Sequence, residues 1–191
     1  MKHANLKPIL FLLFSLAVLA SVSLALSQRR QPAGNLQVKS PHIVVQKSQR
    51  KLLLYSGKRL VRTYQVALGL SPVEDKVKEG DRRTPEGDFR VVAKNLKSQF
   101  YLSLSLNYPA IKDAERGLRD KLITQKQHDA IARAIRSGRT PPQTTPLGGK
   151  VLIHGGGSSS DWTWGCVALD NEKMRELFDA VSVGTLVRIE H

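Results

Sequence analysis

The sequence has one cysteine, Cys166, among 191 residues. A disulfide framework needs an even count, so none closes within the chain. The thiol is then buried and inert, paired with another chain, or reactive. Metal-ligand spacing is also missing. His3, His42, His128 and His191 are scattered, and no Cys or His pair stands at ligand separation. Neither a metal nor a cofactor is expected. No internal repeat is visible, which excludes a solenoid or array. Acidic residues are scarce, with 16 Asp and Glu against 30 Lys and Arg, a net charge of +14. Such a field draws polyanions or only aids solubility. Finally, charge of either sign is missing from Pro8 to Leu26.

That charge-free run is preceded by Lys2 and Lys7 and followed by Arg29 and Arg30, with Ser23-Leu24-Ala25 as a small-x-small site. It reads as an export segment. It is also about as long as a minimal membrane-spanning helix of roughly 20 residues. Residues 1–28 are therefore expected to be a signal peptide or a membrane anchor. Export makes nucleic acid the wrong partner for the basic surface. Anionic cell-wall polymer or a membrane surface suits it better. Removing residues 1–28 removes two lysines and no acid, so the charge persists. Residues 29–40, polar with Pro32 and Gly34, read as a linker. Residues 41–191 form one domain. The whole chain is 41% apolar, which suffices for a core.

The domain opens with short β signals at His42 to Val45, Lys51 to Tyr55 and Val61 to Val66, a predicted meander. Gly80-Asp81-Arg82-Arg83 leads into a turn, Thr84-Pro85-Glu86-Gly87, and Phe89 to Val92 is the next predicted strand. Tyr101 to Leu106 follows as another. Thr124-Gln125-Lys126-Gln127 has a capping-box pattern, with Ala130, Ile131, Ala134 and Ile135 at helical spacing behind it. A helix is predicted over 125–136 and a shorter one over 113–122. Lys150 to Ile153 is a strand ending on His154. Asp170 or Asn171 caps a helix with Met174, Leu177, Phe178 and Val181 as its apolar stripe. Residues 185–189 form the last strand. The class is mainly β, a barrel or sandwich with two or three added helices.

The chemistry gathers in Ile153-His154-Gly155-Gly156-Gly157 and Thr163-Trp164-Gly165-Cys166. Glycines beside each reactive side chain let another backbone approach. A neighbouring imidazole can take the thiol proton and raise the thiolate fraction, and a helix N-terminus nearby works in the same direction. The imidazole can later protonate a leaving amine.

His154-Gly155 followed by Thr163-x-Gly165-Cys166-Val167 resembles the His-Gly … Ser/Thr-x-Gly-Cys motif of the L,D-transpeptidase catalytic domain, also called the YkuD domain. The resemblance extends to Gly80-Asp81-x-Arg83-Thr84-Pro85-Glu86-Gly87, Tyr108-Pro109, Asp113, Leu147-Gly148-Gly149 and the closing Gly184-Thr185-x-Val187-x-Ile189. It implies a mainly β barrel-like or sandwich core with the cysteine loop over it. It implies Cys166 as nucleophile and His154 as base. The cysteine attacks a peptidoglycan stem peptide after its third residue and releases D-alanine. The acyl group then passes to an amine, on a second stem or on a lipoprotein or wall-attached protein, or to water. The alternatives are an L,D-carboxypeptidase or amidase-type hydrolase, and a wall-binding module without catalysis. The expected place is the periplasm or cell envelope, with or without an inner-membrane anchor.

Further roles follow from the same resemblance. Gly155 orients the imidazole, and the backbone N–H groups of Trp164, Gly165 and Cys166 are oxyanion-hole candidates. Thr163, Trp162 and Asp161 are substrate-binding candidates. Trp162 and Trp164 equally suit packing, and Asp161 suits a turn cap better than a contact with a substrate amine. In one respect the chain departs from the pattern. Many relatives carry Arg two positions after the cysteine, where this chain has Ala168; a subgroup with Asp-Trp-Thr-x-Gly-Cys and a small residue there is more similar, matching Asp161-Trp162-Thr163. Arg82, Arg83 or another basic residue is then needed to grip a substrate carboxylate.

Overall fold

A computed structural model describes residues 36–191. The expected leader (1–28) and most of the expected linker (29–40) lie outside the described residues. The described part is mainly β, as expected. Eight strands form one curled, half-barrel sheet: β1 (Pro41–Gln46), β2 (Lys51–Ser56), β3 (Arg59–Gln65), β4 (Gly87–Ser98), β5 (Tyr101–Leu106), β6 (Leu152–His154), β7 (Val167–Ala168) and β8 (Leu186–Glu190). Their spatial order is β3-β2-β1-β8-β4-β5-β6-β7. The β1–β8 and β6–β7 pairs are parallel and the others antiparallel.

Period-two alternation explains why these segments pair. In β1 the buried Ile43 and Val45 stand opposite Leu54 and Leu52 of β2. On the other side they stand opposite Val187 and Ile189 of β8. Phe89 of β4 continues the row from Val187. Each such side chain, taken fully from water, contributes roughly 1.5–3 kcal/mol before the entropy of ordering is set against it. Past β3 the chain bends across to the far edge of the sheet. Ala67 and Ala168 exchange two backbone hydrogen bonds, of 2.9 and 2.8 Å, and Gly69 bridges to Thr163. This contact draws the two ends of the curl together at the cysteine loop.

Three helices dress the sheet: α1 (Ile111–Arg119), α2 (Gln125–Arg136) and α3 (Asn171–Ala180). The predicted α2 and its capping box are both present. Gln127 N–H donates to Thr124 Oγ1, and Thr124 N–H donates to Gln127 Oε1 at 2.9 Å. Helix α1 begins two residues before its predicted start, because Asp113 acts as an internal cap that accepts from Ala110 N–H at 2.9 Å. Asp170 occupies the N-cap position of α3, yet its carboxylate accepts from Ser158 N–H and Oγ–H instead of from the helix. Met174, Leu177 and Phe178 of α3 join the main core, and α1 and α2 enclose a smaller one around Ala114, Ile131 and Leu147.

Candidate active site

Strand β6 carries His154 and β7 begins one residue after Cys166. The parallel register sets Ile153 beside Val167 and His154 beside Ala168. Extended one step, it sets Leu152 beside Cys166, and Leu152 N–H donates to the Cys166 sulfur at 3.4 Å. Since alternate residues of a strand share a face, Cys166 and His154 stand on one face of adjoining strands. Sequence reasoning brought these two residues together, and the sheet does the same. No hydrogen bond joins them. The thiol points instead toward the Lys150 carbonyl, 3.7 Å away.

His154 is buried, and its Nδ1 lies 2.5 Å from the Gly155 carbonyl oxygen. A carbonyl only accepts, so Nδ1 carries the proton and Nε2 keeps its lone pair. Burial holds the imidazole below its ordinary 6.5, against the opposing pull of the Gly155 carbonyl. It is therefore a neutral base at neutral pH. Phe100 stacks on the ring at 4.4 Å, and Trp162 meets it edge-on at 5.5 Å. The expectation of a raised thiolate fraction is not met in this state. Burial pushes the Cys166 thiol up to about 11, with the Leu152 N–H and the Lys76 charge working the other way. No described helix N-terminus bonds the sulfur, because the first turn of α3 lies five residues on and faces residues 156–158.

Other expected roles divide. Gly155 orients the imidazole through its carbonyl, while its N–H is spent on the Leu102 carbonyl. A Cβ at Gly155 would meet Asn171 Oδ1 at 2.5 Å, so only glycine fits there. Gly165 N–H donates to Thr163 Oγ1 at 3.1 Å and is not a free oxyanion donor. The N–H groups of Trp164 and Cys166 have no partner among the described residues. Thr163 is buried and its hydroxyl also donates to the Cys166 carbonyl at 2.8 Å, which makes it a turn-former, not a substrate contact. Asp161 is likewise committed. Its carboxylate accepts from Arg50 Nε and a terminal Arg50 nitrogen, and from Leu68 N–H at 2.8 Å. Trp162 packs on His154 and donates to the Gly157 carbonyl. Trp164 is exposed, with the Arg82 guanidinium 4.9 Å above its ring. Ala168 is fully buried, so an arginine there would have to displace its surroundings.

Among the supporting residues Lys76 carried no recognisable signal, and Asp81 and Thr84 were legible only as parts of the Gly80 to Gly87 motif. Lys76 is almost wholly buried and pairs with Asp81 at 2.8 Å. Asp81 also accepts from the N–H groups of Val77, Lys78 and Arg83. Burial alone would raise its pKa, but Lys76 and these donors hold the carboxylate below its ordinary range. The Lys76 ammonium lies 3.8 Å from where a Gly165 Cβ would stand. Thr84 accepts from Gly69 N–H at 3.0 Å, and its hydroxyl stands 3.4 Å from the Cys166 carbonyl. The Thr84-Pro85-Glu86-Gly87 element is thus the floor of the cysteine loop. Beside the site, a groove of about 530 Å³ runs over β4, β5 and the residues before β6. Phe100 and Leu152 line it and join it to the His154–Cys166 face.

Comparison with known proteins bears on the fold and the family. The family model for the L,D-transpeptidase catalytic domain (YkuD) matches residues 40–189. The crystal structure of the helical cell shape determining protein Pgp2 from Campylobacter jejuni is similar at 20% identity and a TM-score of 0.52. That match covers 84% of this chain and 52% of Pgp2. Bdellovibrio bacteriovorus Bd1075 is similar at 22% identity and a TM-score of 0.50, over 84% of this chain and 53% of its own. The chain thus spans about half the length of these solved structures, and at such identities the likeness concerns the fold. No curated protein matches the chain.

Proposed function

The chain belongs to the L,D-transpeptidase catalytic domain family, and from that premise we propose that it is a cysteine acyltransferase acting on peptidoglycan stem peptides outside the cytoplasmic membrane. The observation that carries this reading is His154. Its Nε2 lone pair is left free by the Nδ1–H bond to Gly155, on the same sheet face as the single cysteine. Rotation about the Cα–Cβ bond of Cys166 turns the sulfur from the Lys150 carbonyl toward the imidazole. Hydrogen bonds of this kind commonly tighten only when substrate is bound. With both groups neutral at rest, the proton moves as the bond forms. Sγ attacks the scissile carbonyl while Nε2 takes the thiol proton. The unpartnered N–H groups of Trp164 and Cys166 donate to the developing oxyanion in this reading. As the tetrahedral intermediate collapses, the C–N bond breaks and the imidazolium returns its proton to the departing D-alanine amine. A second amine then attacks the thioester and loses its proton to His154; the C–S bond breaks and the imidazolium returns that proton to the Cys166 sulfur.

Water can take the acceptor's place, and Ala168 bears on how often it does. Transfer outpaces hydrolysis only where the acyl group and acceptor are held in attack geometry. The guanidinium that many relatives carry at position 168 is missing here, so carboxylate recognition falls to another residue. Export rests on the charge-free run from Pro8 to Leu26 with its basic flanks. The test is to incubate the full chain with defined muropeptides and read product masses. A crosslinked or exchanged product, lost in Cys166→Ala, is expected. Release of D-alanine without any transfer at high acceptor would replace the transferase with a carboxypeptidase. No release at all from any stem peptide would overturn the enzyme reading.

A further inference from the structure

Lys150 shares a left-handed backbone with Arg50, Arg82 and Lys121 among the described basic residues, and of these it alone lines the groove beside the site. Its φ of +53° lies in the left-handed region, two residues after Gly148. A glycine adopts that conformation without the steric cost that a lysine Cβ incurs. The conformation is held from both sides. Lys150 N–H donates to Gln143 Oε1 at 2.7 Å, and the Gln143 amide donates to the carbonyls of Tyr108 and Pro141. The Lys150 carbonyl is the one the catalytic thiol faces. The fixed backbone holds the Lys150 side chain in one place at the junction of the cysteine and the groove.

That side chain is exposed, and its ammonium makes no ion pair among the described residues. The groove beside the site is lined by neutral polar groups, among them Asn95, Ser103, Ser105 and Gln143. Lys150 is the one charged side chain among the lining residues. The other cations near the cysteine loop are engaged. Arg82 lies over Trp164, Arg83 pairs with Glu74, Arg50 with Asp161, and Lys76 with Asp81. Ala168, where many relatives carry an arginine, is buried.

We propose that Lys150 is the specificity-determining cation of the donor site, holding a free carboxylate on a peptide laid in this groove with its scissile carbonyl at Cys166. The proposal rests on the acyltransferase reading for the identity of the peptide. Lys150 does no covalent chemistry; it fixes the donor in register and selects against donors whose carboxylate is masked.

The test separates binding from turnover by using the full chain carrying Cys166→Ala, which cannot react. Synthetic stem tetrapeptides are compared by titration calorimetry, with all carboxylates free or with one amidated at either residue flanking the scissile bond. The free acid is expected to bind about tenfold more tightly than one of the two amides, the scale of one charge-assisted hydrogen bond. Adding Lys150→Met should bring that ratio near one, and adding Lys150→Arg should keep it. Lys150→Gly should lose the preference as Lys150→Met does, while melting no lower than the parent because the strain is relieved. An acid preference that survives Lys150→Met, or no preference in the chain that keeps Lys150, overturns the proposal. Turnover by the unmodified chain is read separately. If binding follows this pattern while no acyl-enzyme or released amine is seen, the acyltransferase reading fails and the carboxylate site stands.

Discussion

Cys166 and His154 are both uncharged at rest, and this sets what each responds to. With burial pushing the thiol up to about 11, only about one molecule in ten thousand is thiolate at pH 7. Alkylation of Cys166 by iodoacetamide should therefore rise about tenfold per pH unit from 7 to 10. His154→Ala should leave that profile nearly unchanged, since no hydrogen bond joins the pair at rest, while acylation by a donor peptide is lost. A plateau near neutral pH that disappears in His154→Ala would show a preformed thiolate–imidazolium pair instead. His154 supplies the complementary pH test. Its pKa is lowered in the fold, so the unfolded chain binds the proton first as pH falls. The stability His154 contributes is complete above its ordinary 6.5 and drains away below it. The acid limb of activity should accordingly lie below 6.5. His154→Gln should flatten the fall in melting temperature between pH 7 and 5. An acid limb above 6.5 would contradict the burial argument.

At the scale of elements, the segment between Gly69 and β4 supports the site although it contributes little to the core. Its Leu70 and Val73 are exposed. It is fastened by polar groups instead. Lys47, fully buried, donates to the carbonyls of Val73 and Glu74 and pairs with Glu86. Asp75 takes Arg116 and Lys112, and Asp81 takes Lys76. The backbones approach so closely that a Cβ at Gly69 would stand 2.1 Å from the Arg82 carbonyl oxygen. Lys76→Met should cost about 3 kcal/mol by leaving Asp81 a buried charge without its ion-pair partner. It should also slow Cys166 alkylation at fixed pH, because the nearby cation that favours thiolate is gone. Adding Asp81→Asn should recover part of the stability and none of the alkylation rate. Recovery of both would reduce Lys76 to a structural role. This segment also marks where the sequence stopped being legible. The strands β1 to β3, the α2 capping box and the His154–Cys166 motif are local patterns, and all could be read. The burial of Lys76, the stacking of Phe100 on His154 and the commitment of Asp161 to Arg50 arise from contacts between segments far apart in the chain. Strand β7 is two residues long and β4 runs on through the polar Lys94 to Ser98, so neither announces its length by alternation.

For the whole molecule, the relevant quantity is charge left over after folding. Among the described residues most of the acids are held in ion pairs with the chain's own cations, so many of the remaining cations are presented to solvent unpaired. Exposed Arg59, Lys58, Lys97, Arg136 and Arg139 are among them. A protein so charged meets an anionic polymer by long-range attraction before any groove is engaged. The two contributions separate by salt. The Debye length shortens from about 10 Å at 0.1 M to about 3 Å at 1 M, which removes the surface attraction but leaves contacts made at short range in the groove. Binding of the full chain to isolated wall sacculi should therefore fall steeply between 0.05 and 0.5 M salt, values of roughly that order being enough to span the screening range. The acid-over-amide preference for a single stem peptide should survive. Sacculus binding indifferent to salt would remove the basic surface from the account. Loss of peptide preference over the same range would show that the carboxylate is held only by the diffuse field and not by a placed cation.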